Sequence, residues 1–286
     1  MKQLRSKKKR ILLPLLALIA LLIVAWTIWG NVTIETCRIS IQSDKLPSSF
    51  QNFKIVQISD LHNHAWGDKL TDRIRKEAPD MIVVTGDLVD SSRTDVDVAM
   101  ELIDQAVKIA PTYYVTGNHE AWLNDYESLE RRLSEAGVHL MDDKRVWIER
   151  GGARINLIGL QDPDFTERGA FDGVQESMVT TKLKGLLIEN CYNVVLCHRP
   201  ELFEGYVKTG ADLVLTGHAH GGQVRIPFIG GLVAPNQGLF PRYTEGVYRK
   251  GGTDMVVSRG LGNSILPIRI NNPPELLVIT LSNDLN

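Results

Sequence analysis

The residue types that could do chemistry in this sequence stand directly after apolar runs. Five such runs, each of a length typical of a strand, stop abruptly at carboxylate, amide or imidazole side chains. The run Met81–Thr85, for example, ends at Gly86 and delivers Asp87. Five of the seven histidines also follow runs of this kind. The side chains collected in this way are Asp60, His62, Asp87, Asn118, His119, His198, His218 and His220.

This set of side chains has the donor atoms of a metal site. Uninterrupted apolar runs rich in β-branched residues are typical of buried parallel strands, and ligands bind at the carboxyl ends of such strands. The donors are oxygen and nitrogen without a thiolate, which suits Mn²⁺, Zn²⁺ or iron, and they exceed the needs of one ion. Residues two apart in an extended segment lie about 6–7 Å apart along the chain. Pairs such as Asp60/His62 could therefore serve two ions about 3.5–4 Å apart.

The elements that must position these side chains alternate between strand and helix in the first half of the chain. Helical patterns cover residues 68–77, 95–109 and 125–135, and prolines end the first two. The order predicts a parallel sheet with right-handed crossovers. The second half is richer in strands and includes a hairpin signal at Gly151-Gly152. We expect one α/β domain at residues 53–286, preceded by a linker and edge strand at residues 33–52.

The N-terminal residues have the pattern of a membrane anchor. A basic segment at residues 1–10 precedes 24 residues without charge, from Ile11 to Ile34. As a helix they would span about 36 Å, more than the roughly 30 Å of a bilayer core. The sequence predicts a single transmembrane helix at residues 11–32, with Trp26 and Trp29 in the interfacial belt and the basic segment in the cytoplasm. A cleaved signal peptide is the alternative, although the apolar run is longer than a typical signal core.

Charge is distributed unevenly between this anchor and the domain. Six of the 32 basic residues lie in the first ten positions, which leaves 26 basic against 34 acidic residues, a formal charge of −8, for the rest. An acidic body argues against a nucleic-acid-binding surface. The three cysteines show no metal-type spacing. We therefore expect a monomeric, single-pass membrane protein with its domain outside the cytoplasm and no nucleic-acid partner.

The motifs, taken in order, resemble those of the calcineurin-like metallophosphoesterases. They are Asp60-x-His62, Gly86-Asp87-x-x-Asp90, Gly117-Asn118-His119-Glu120, the isolated His198 and Gly217-His218-x-His220. Longer strings resemble the membrane-associated YkuE/YaeI-like branch: Cys197-His198-Arg199-Pro200, the stretch from Gly217 to Gln223, and Ser258-Arg259-Gly260-Leu261-Gly262. The resemblance covers residues 50–282 and implies a four-layer α/β/β/α sandwich.

The resemblance also implies a role for each side chain. One metal ion would be held by Asp60, His62 and His220. The other would be held by Asn118, His198 and His218. Asp87 would bridge the two ions, and His119 would be the catalytic residue that protonates the leaving group. The implied reaction is hydrolysis of phosphate esters, monoesters or diesters, by a metal-bridging hydroxide, and the nearby bilayer favours lipid or cell-envelope phosphates.

Two other functions fit the same residues. One is a metal-binding module without catalysis, against which the presence of His119 and of every implied ligand argues. The other is a pyrophosphohydrolase of the UDP-2,3-diacylglucosamine type, whose substrates are normally cytosolic. Several neighbouring residues have simpler interpretations: His139 as a strand residue, His64 as exposed or lining the cleft, Asp90 as a loop organiser, Glu120 as a supporting residue or helix cap, and Arg199 and Arg259 as members of ion pairs.

Overall fold

In the computed structural model an apolar helix precedes a body of two sheets. The described residues are 2–166, 168, 172–263 and 267–283. The helices are α1 (Lys2–Val32), α2 (Asp68–Glu77), α3 (Val96–Ile109), α4 (Asn118–Ala121), α5 (Tyr126–Glu135), α6 (Asp172–Leu186) and α7 (Phe203–Thr209). The strands are β1 (Glu35–Gln42), β2 (Phe53–Ile58), β3 (Met81–Thr85), β4 (Thr112–Val115), β5 (His139–Leu140), β6 (Lys144–Arg150), β7 (Ala153–Gly159), β8 (Asn193–Leu196), β9 (Leu213–Thr216), β10 (Arg225–Ile226), β11 (Gly230–Gly231), β12 (Val233–Ala234), β13 (Gly238–Leu239), β14 (Gly246–Lys250), β15 (Thr253–Val257) and β16 (Glu275–Ser282).

The two large sheets have six strands each. The first has the order β1-β16-β2-β3-β4-β5, and β2 to β5 run parallel, as the strand–helix alternation predicts. The second has the order β14-β15-β9-β8-β7-β6, in which β7, β8, β9 and β15 are parallel. The predicted hairpin is the antiparallel pair β6–β7. Each sheet therefore has a parallel centre whose strand ends face one edge.

Three apolar clusters define the layers. One lies between the sheets and joins β2, β3 and β16 to β7, β8 and β9. A second packs the outer face of the first sheet against α2, α3 and α5. The third packs the outer face of the second sheet against α6 and α7. The strands at the centre of each sheet are covered on both faces, which explains their continuous apolar sequence. The predicted four-layer α/β/β/α arrangement is confirmed.

Local sequence signals place the helices close to their predicted ranges. The Asp95 side chain accepts a hydrogen bond of 3.3 Å from Val98 N and so caps the first turn of α3. Asp125 caps α5 in the same way through Ser128 N, at 3.1 Å. The apolar residues Leu70 and Ile74 of α2 lie on its buried face. These helices return the chain to the start of each parallel strand and leave the opposite strand ends clear.

The N-terminal helix meets the domain close to that open edge. Among the described residues, α1 alone contains a stretch that is long and apolar enough to cross a membrane, Pro14–Val32. Asn31 near its end exchanges two hydrogen bonds with the backbone of Arg269, at 2.7 and 2.9 Å. The next element, β1, pairs with β16 as the edge strand of the first sheet. The division of the chain at residues 10, 32 and 52 stays a prediction.

Candidate metal centre

The candidate side chains lie where the carboxyl ends of the two sheets meet. Two hydrogen bonds cross from one sheet to the other at this point. Gln57 Nε2 in β2 donates to Thr216 O in β9 at 2.8 Å, and the Nδ1 atom of His198, just after β8, lies 2.7 Å from Thr85 O in β3. These contacts hold the ends of four strands together. The chain segments that follow the strands therefore converge on one buried site.

Glycines permit the close approach of these segments. Gly86 follows β3 with a φ of +86°, and a Cβ atom there would lie 2.7 Å from both Gly117 Cα and His198 Nδ1. At Gly217 a Cβ atom would overlap the carboxylate of Asp60. Because real Cβ atoms do not approach other atoms so closely, larger residues at either position would push the strand ends apart. The predicted site depends on these glycines as much as on its polar residues.

Five of the eight candidate residues have positive φ angles, which are unfavourable for residues other than glycine. Such conformations cost on the order of 1–3 kcal/mol each, and they concentrate at functional sites. The φ values lie between +46° and +65° for Asp60, His62, Asp87, His218 and His220. The fold therefore uses strained backbone to direct these side chains into one volume.

The first group of donors contains Asp60, His62, Asp87 and His220, whose nearest donor atoms all lie within 4.8 Å of one another. His62 Nε2 is 3.1 Å from His220 Nε2 and 3.5 Å from Asp87 Oδ2. His220 Nε2 is 3.3 Å from Asp60 Oδ1. All four residues are buried. The group brings together three of the predicted ligands of one ion and the predicted bridging carboxylate.

The second group contains Asp87, His198 and His218. His198 Nε2 is 3.2 Å from Asp87 Oδ2 and 3.1 Å from His218 Nδ1. The outer nitrogen of His218, Nε2, lies 3.1 Å from Asn236 Oδ1, which leaves Nδ1 directed at the site. Asp87 is thus common to both groups through the same carboxylate oxygen. This arrangement is the one expected for two neighbouring ions that share a ligand.

Burial keeps three of the imidazoles neutral. It lowers the pKa of His62 to about 3. It also lowers the pKa of His218 and His220 well below the usual range, with further lowering from Arg199 and His198 for the first and from His62 and Arg269 for the second. Neutral imidazole is the form that binds metal. The three rings are therefore ready to act as ligands at neutral pH.

Asp87 and His198 form a charged pair inside the site. Burial opposes ionisation of both groups, but their mutual attraction outweighs it: the pKa of Asp87 is held well below its usual range, and that of His198 is raised to about 10. Burial raises the pKa of Asp60. The pair concentrates negative charge on Asp87, between the two groups of imidazoles. A cation bound there would take the place of the His198 proton.

The residues present fit a pair of divalent cations. Asn118 Oδ1 is buried and has no hydrogen-bond partner among the residues that the structure describes, although an unpaired buried carbonyl is costly in free energy. A metal ion would satisfy this atom, as it would the neutral imidazoles around it. Carboxylate, amide and imidazole donors without thiolate match Mn²⁺, Zn²⁺ or iron. The structure therefore contains a candidate dimetal site.

Glu120 supports this site from beneath. Its buried carboxylate accepts hydrogen bonds from the backbone N–H groups of Asp87, Leu88 and Gly117 at 2.9, 2.8 and 2.7 Å, and a longer one from Val89. Burial, followed by repulsion from Asp87, raises the pKa of Glu120 to about 8. The carboxylate ties the loop after β3 to the turn after β4. Its predicted role as a supporting residue is confirmed.

His119 lies beside the first donor group, and its Nδ1 atom contacts Ser91. The backbone N–H of Ser91 lies 3.0 Å from His119 Nδ1, and the Ser91 hydroxyl lies 3.2 Å from the same nitrogen. The ring packs edge-on against His62, with a centroid distance of 4.5 Å. Asp90 accepts from Ser92 N and Arg93 N at 2.8 and 3.0 Å. As predicted, Asp90 organises the loop that positions His119.

The remaining predicted residues have structural contacts. Arg199 makes two hydrogen bonds to Asp162, of 2.6 and 2.8 Å, and Arg259 lies 3.2 Å from Glu275. The ion pairs expected for both arginines are confirmed. His139 is in β5, as predicted, and the half-buried His64 packs against Trp66 with its ring tilted by 46° and a centroid distance of 4.4 Å.

Two residues at the site have no counterpart in the sequence analysis. Asn236 accepts hydrogen bonds at its side-chain oxygen from Arg199 and His218, both at 3.1 Å. Arg269 lies with Nη2 3.4 Å from His220 Nδ1, and burial lowers its pKa to about 10. Pro235-Asn236 reads as an ordinary turn, and Arg269 belongs to no motif. Only the folded loops bring these residues to the centre.

Two sheets whose carboxyl ends share a two-part N/O donor site have the arrangement expected of a binuclear metallohydrolase. Comparison with known proteins agrees: the family model for calcineurin-like phosphoesterases matches residues 53–222. The match covers more than half of the chain. The protein belongs to the calcineurin-like phosphoesterase family and is a hydrolase.

Individual relatives support the YkuE/YaeI-like branch of the family. The chain is 29% identical to the metallophosphoesterase YkuE of Bacillus subtilis over 262 residues, which cover 87% of this chain and 85% of YkuE. It is 30% identical to YkoQ of the same organism, with 86% and 89% covered. It is 26% identical to the phosphodiesterase YaeI of Escherichia coli, with 80% and 82% covered.

Proposed function

We propose that this protein is a membrane-anchored phosphoesterase that hydrolyses phosphate esters with two divalent cations. Asp60, His62 and His220 hold one ion. Asn118, His198 and His218 hold the other, and Asp87 bridges them. The observation that carries this proposal is that one oxygen of Asp87 belongs to both donor groups, 3.5 Å from His62 Nε2 and 3.2 Å from His198 Nε2. A site for one ion would not need this shared carboxylate.

The chemistry of the bound ions is general. Such cations stabilise charge on phosphoryl oxygens and lower the pKa of bound water from 15.7 to about 7. The residues of this chain supply position and a proton. When both ring nitrogens carry a proton, Nδ1–H can donate to Ser91 Oγ, 3.2 Å away, and Nε2–H is the proton whose transfer leaves a neutral imidazole. We assign His119 as the general acid that donates this proton to the leaving oxygen.

Metal content and turnover test the central claim. The purified full-length protein, loaded with Mn²⁺ and freed of excess ions, is expected to retain two ions per chain. It should also hydrolyse bis(p-nitrophenyl) phosphate, and chelation should abolish turnover. Binding of two ions without turnover of any phosphate ester in a screen would favour the metal-binding module. A single ion per chain would refute the proposal.

The role of His119 is tested separately by comparing esters with poor and good leaving groups. A poor leaving group such as an alkoxide needs the proton, whereas p-nitrophenolate departs without it. His119→Asn should therefore reduce hydrolysis of alkyl esters about 10²–10⁴-fold, the range typical of general acid catalysis. Hydrolysis of the p-nitrophenyl ester should fall far less. Equal losses for the two esters would remove the general-acid role and leave His119 a structural part of the centre.

The membrane helix sets the proposed location. We propose an uncleaved anchor at residues 11–32, a cytoplasmic N-terminus and a monomeric catalytic domain outside the cytoplasm. The basic segment at residues 1–10 and the apolar stretch Pro14–Val32 support this topology. Protease added to intact spheroplasts should digest the domain. Digestion only after lysis would place the domain in the cytoplasm and contradict the proposed topology. A purified chain that lacks residues 1–30 would show that the N-terminal segment is a cleaved signal peptide.

A further inference from the structure

A cleft lies between the end of α1 and the domain. Its volume is about 470 Å³, within the range of small-molecule sites. Trp26, Trp29 and Ile34 form apolar walls, and Pro273 continues them on the domain side. The cleft combines these walls with two buried guanidinium groups, those of Arg259 and Arg269.

The two guanidinium groups differ in how their charge is balanced. Arg259 lies within 2.7 to 3.4 Å of carboxylates of Glu35, Glu275 and Glu245. Arg269 donates to Gly262 O at 2.6 Å and to Asn263 Oδ1 at 3.0 Å, but no carboxylate among the described residues pairs with it. Its Nη1 atom is buried and has no hydrogen-bond partner in the described part of the chain. An unpaired buried charge is costly in free energy. An anion bound next to Arg269 would offset this cost.

Arg269 occupies a position between the membrane and the metal centre. Its backbone is fixed to Asn31, at the end of the apolar stretch of α1, where headgroups meet the hydrocarbon of a bilayer. The exposed Trp26 and Trp29 precede Asn31 in the last two turns of α1. On the other side Nη2 is 3.4 Å from Nδ1 of the proposed ligand His220. An anion on Arg269 would therefore touch the bilayer surface and lie next to the centre.

The loops beside this cleft carry exposed apolar side chains. Among the described residues outside α1, nearly all of the exposed large hydrophobic side chains fall between residues 228 and 270, the exception being Val174. The hairpin β10–β11 is joined to the Arg269 segment by a hydrogen bond from Arg225 N to Ile270 O. Exposed apolar patches of this kind mark membrane or partner contacts. The residues are Phe228, Ile229, Leu239, Phe240, Ile268 and Ile270.

We propose that the cleft binds the headgroup of an anionic membrane phospholipid and that Arg269 donates hydrogen bonds to its phosphate. The tryptophans and the apolar loops then contact the acyl region of the same leaflet. This inference rests on the proposed phosphoesterase function and narrows it, because it makes membrane phospholipids the substrate class. The headgroup of the lipid then reaches the metal centre while its acyl chains stay in the bilayer.

Lipid retention tests the cleft without using turnover. The full-length chain, purified in mild detergent with equal amounts of phosphatidylglycerol and phosphatidylcholine, is analysed by native mass spectrometry. The wild type should keep phosphatidylglycerol in preference. Arg269→Met should lose about tenfold or more of this preference, as expected for a hydrogen bond to a charged group. Arg269→Lys should keep part of it, and the control Arg249→Met, at an exposed arginine paired with Asp254, should keep all.

Inhibition connects the cleft to the metal centre. Phosphatidylglycerol in mixed micelles should raise the KM of the wild type for bis(p-nitrophenyl) phosphate and leave kcat unchanged. Glycerol 1-phosphate, which lacks acyl chains, should compete weakly at the same concentration. Arg269→Met should lose the lipid effect. Unchanged lipid preference in Arg269→Met would overturn the proposal, as would equal competition by glycerol 1-phosphate. An inactive wild type that still retains lipid would instead overturn the proposed function.

Discussion

Two buried arginines touch the metal centre, one from each side. Arg199 Nη1 lies 3.3 Å from His218 Nε2, and Arg269 Nη2 lies 3.4 Å from His220 Nδ1. Each is almost fully buried, and each contacts a histidine of the Gly217-His218-Ala219-His220 turn. The two positions therefore look equivalent when only their contacts with the centre are considered.

The surroundings of the two arginines are opposite. Arg199 makes two hydrogen bonds to Asp162 and lies 3.2 Å from Asp164 Oδ2 and 3.6 Å from Glu201 Oε1. Besides the His220 contact, Arg269 donates to a backbone carbonyl and to the Asn263 amide, and within the described part of the chain it forms no ion pair with a carboxylate. Carboxylates of the protein balance the charge of Arg199, so its role is structural. The charge of Arg269 is therefore able to pair with a bound anion.

The largest effect on metal content and turnover is expected for replacement of Asp87, which is common to the two donor groups. If His218 and His220 belong to two halves of one centre, replacing Asp87 with Ala removes the ligand common to both. The variant should hold at most one ion per chain. Its turnover should fall at least about 10³-fold, because each tenfold loss corresponds to 1.36 kcal/mol and the metal contribution is several kcal/mol.

A matched control separates this effect from loss of any acid. Asp72→Ala removes an exposed carboxylate of α2, whose only ion pair is with Arg75 at 2.6 Å among the described residues. This variant should keep both ions and full turnover. Full turnover in Asp87→Ala would show that the two groups are independent, and the comparison of the arginines would then concern two unrelated sites.

The donor set was predictable because the end of a buried strand is recognisable in the sequence as an apolar run followed by glycine and polar residues. The apolar run before Asp87 and the glycines around it specify both a buried strand and a close approach of backbones. Glu120 was predictable as a support, since it follows Asn118 and His119 in the same turn. The order of strands and helices likewise predicts the parallel sheet and its edge.

The environment of Arg269 was not predictable in this way. Its contacts with Asn31 and His220 join residues 238 and 49 positions apart. No periodicity or turn signal in one segment specifies such a contact. Arg199, which does lie in a recognised string, was assigned an ion pair, but its partner Asp162 is 37 residues away and could not be named. Long-range polar pairs depend on how the loops pack, which a single sequence does not encode locally.

The next effect concerns Arg199 and the stability of the fold. Arg199→Met removes one partner of a buried pair and leaves Asp162 charged and uncompensated. Such changes cost about 3–5 kcal/mol. At about 2–4 °C per kcal/mol for a chain of this size, thermal unfolding of the metal-loaded protein should shift downward by roughly 6–20 °C.

An exposed arginine provides the control for this loss. Arg75→Met breaks the surface pair with Asp72, where both side chains are more than half exposed, and surface pairs contribute at most about 1 kcal/mol. Its melting temperature should stay close to that of the wild type. If Arg199→Met were equally harmless, the Asp162 pair would not hold the structure, and the contrast with Arg269 would disappear.

The smallest effect is expected for the stability of Arg269→Met, and it sharpens the comparison most. The change leaves the Gly262 carbonyl and the Asn263 amide without a donor, which costs on the order of 1–3 kcal/mol. It also removes a buried charge that, among the described residues, forms no direct ion pair with a carboxylate, and this relief opposes the cost. The melting temperature, measured without phospholipid, should therefore change by less than about 4 °C. Added phosphatidylglycerol should stabilise the wild type and not the variant, because only the wild type binds the anion in its folded state. A large destabilisation in the absence of lipid would make Arg269 a structural residue like Arg199.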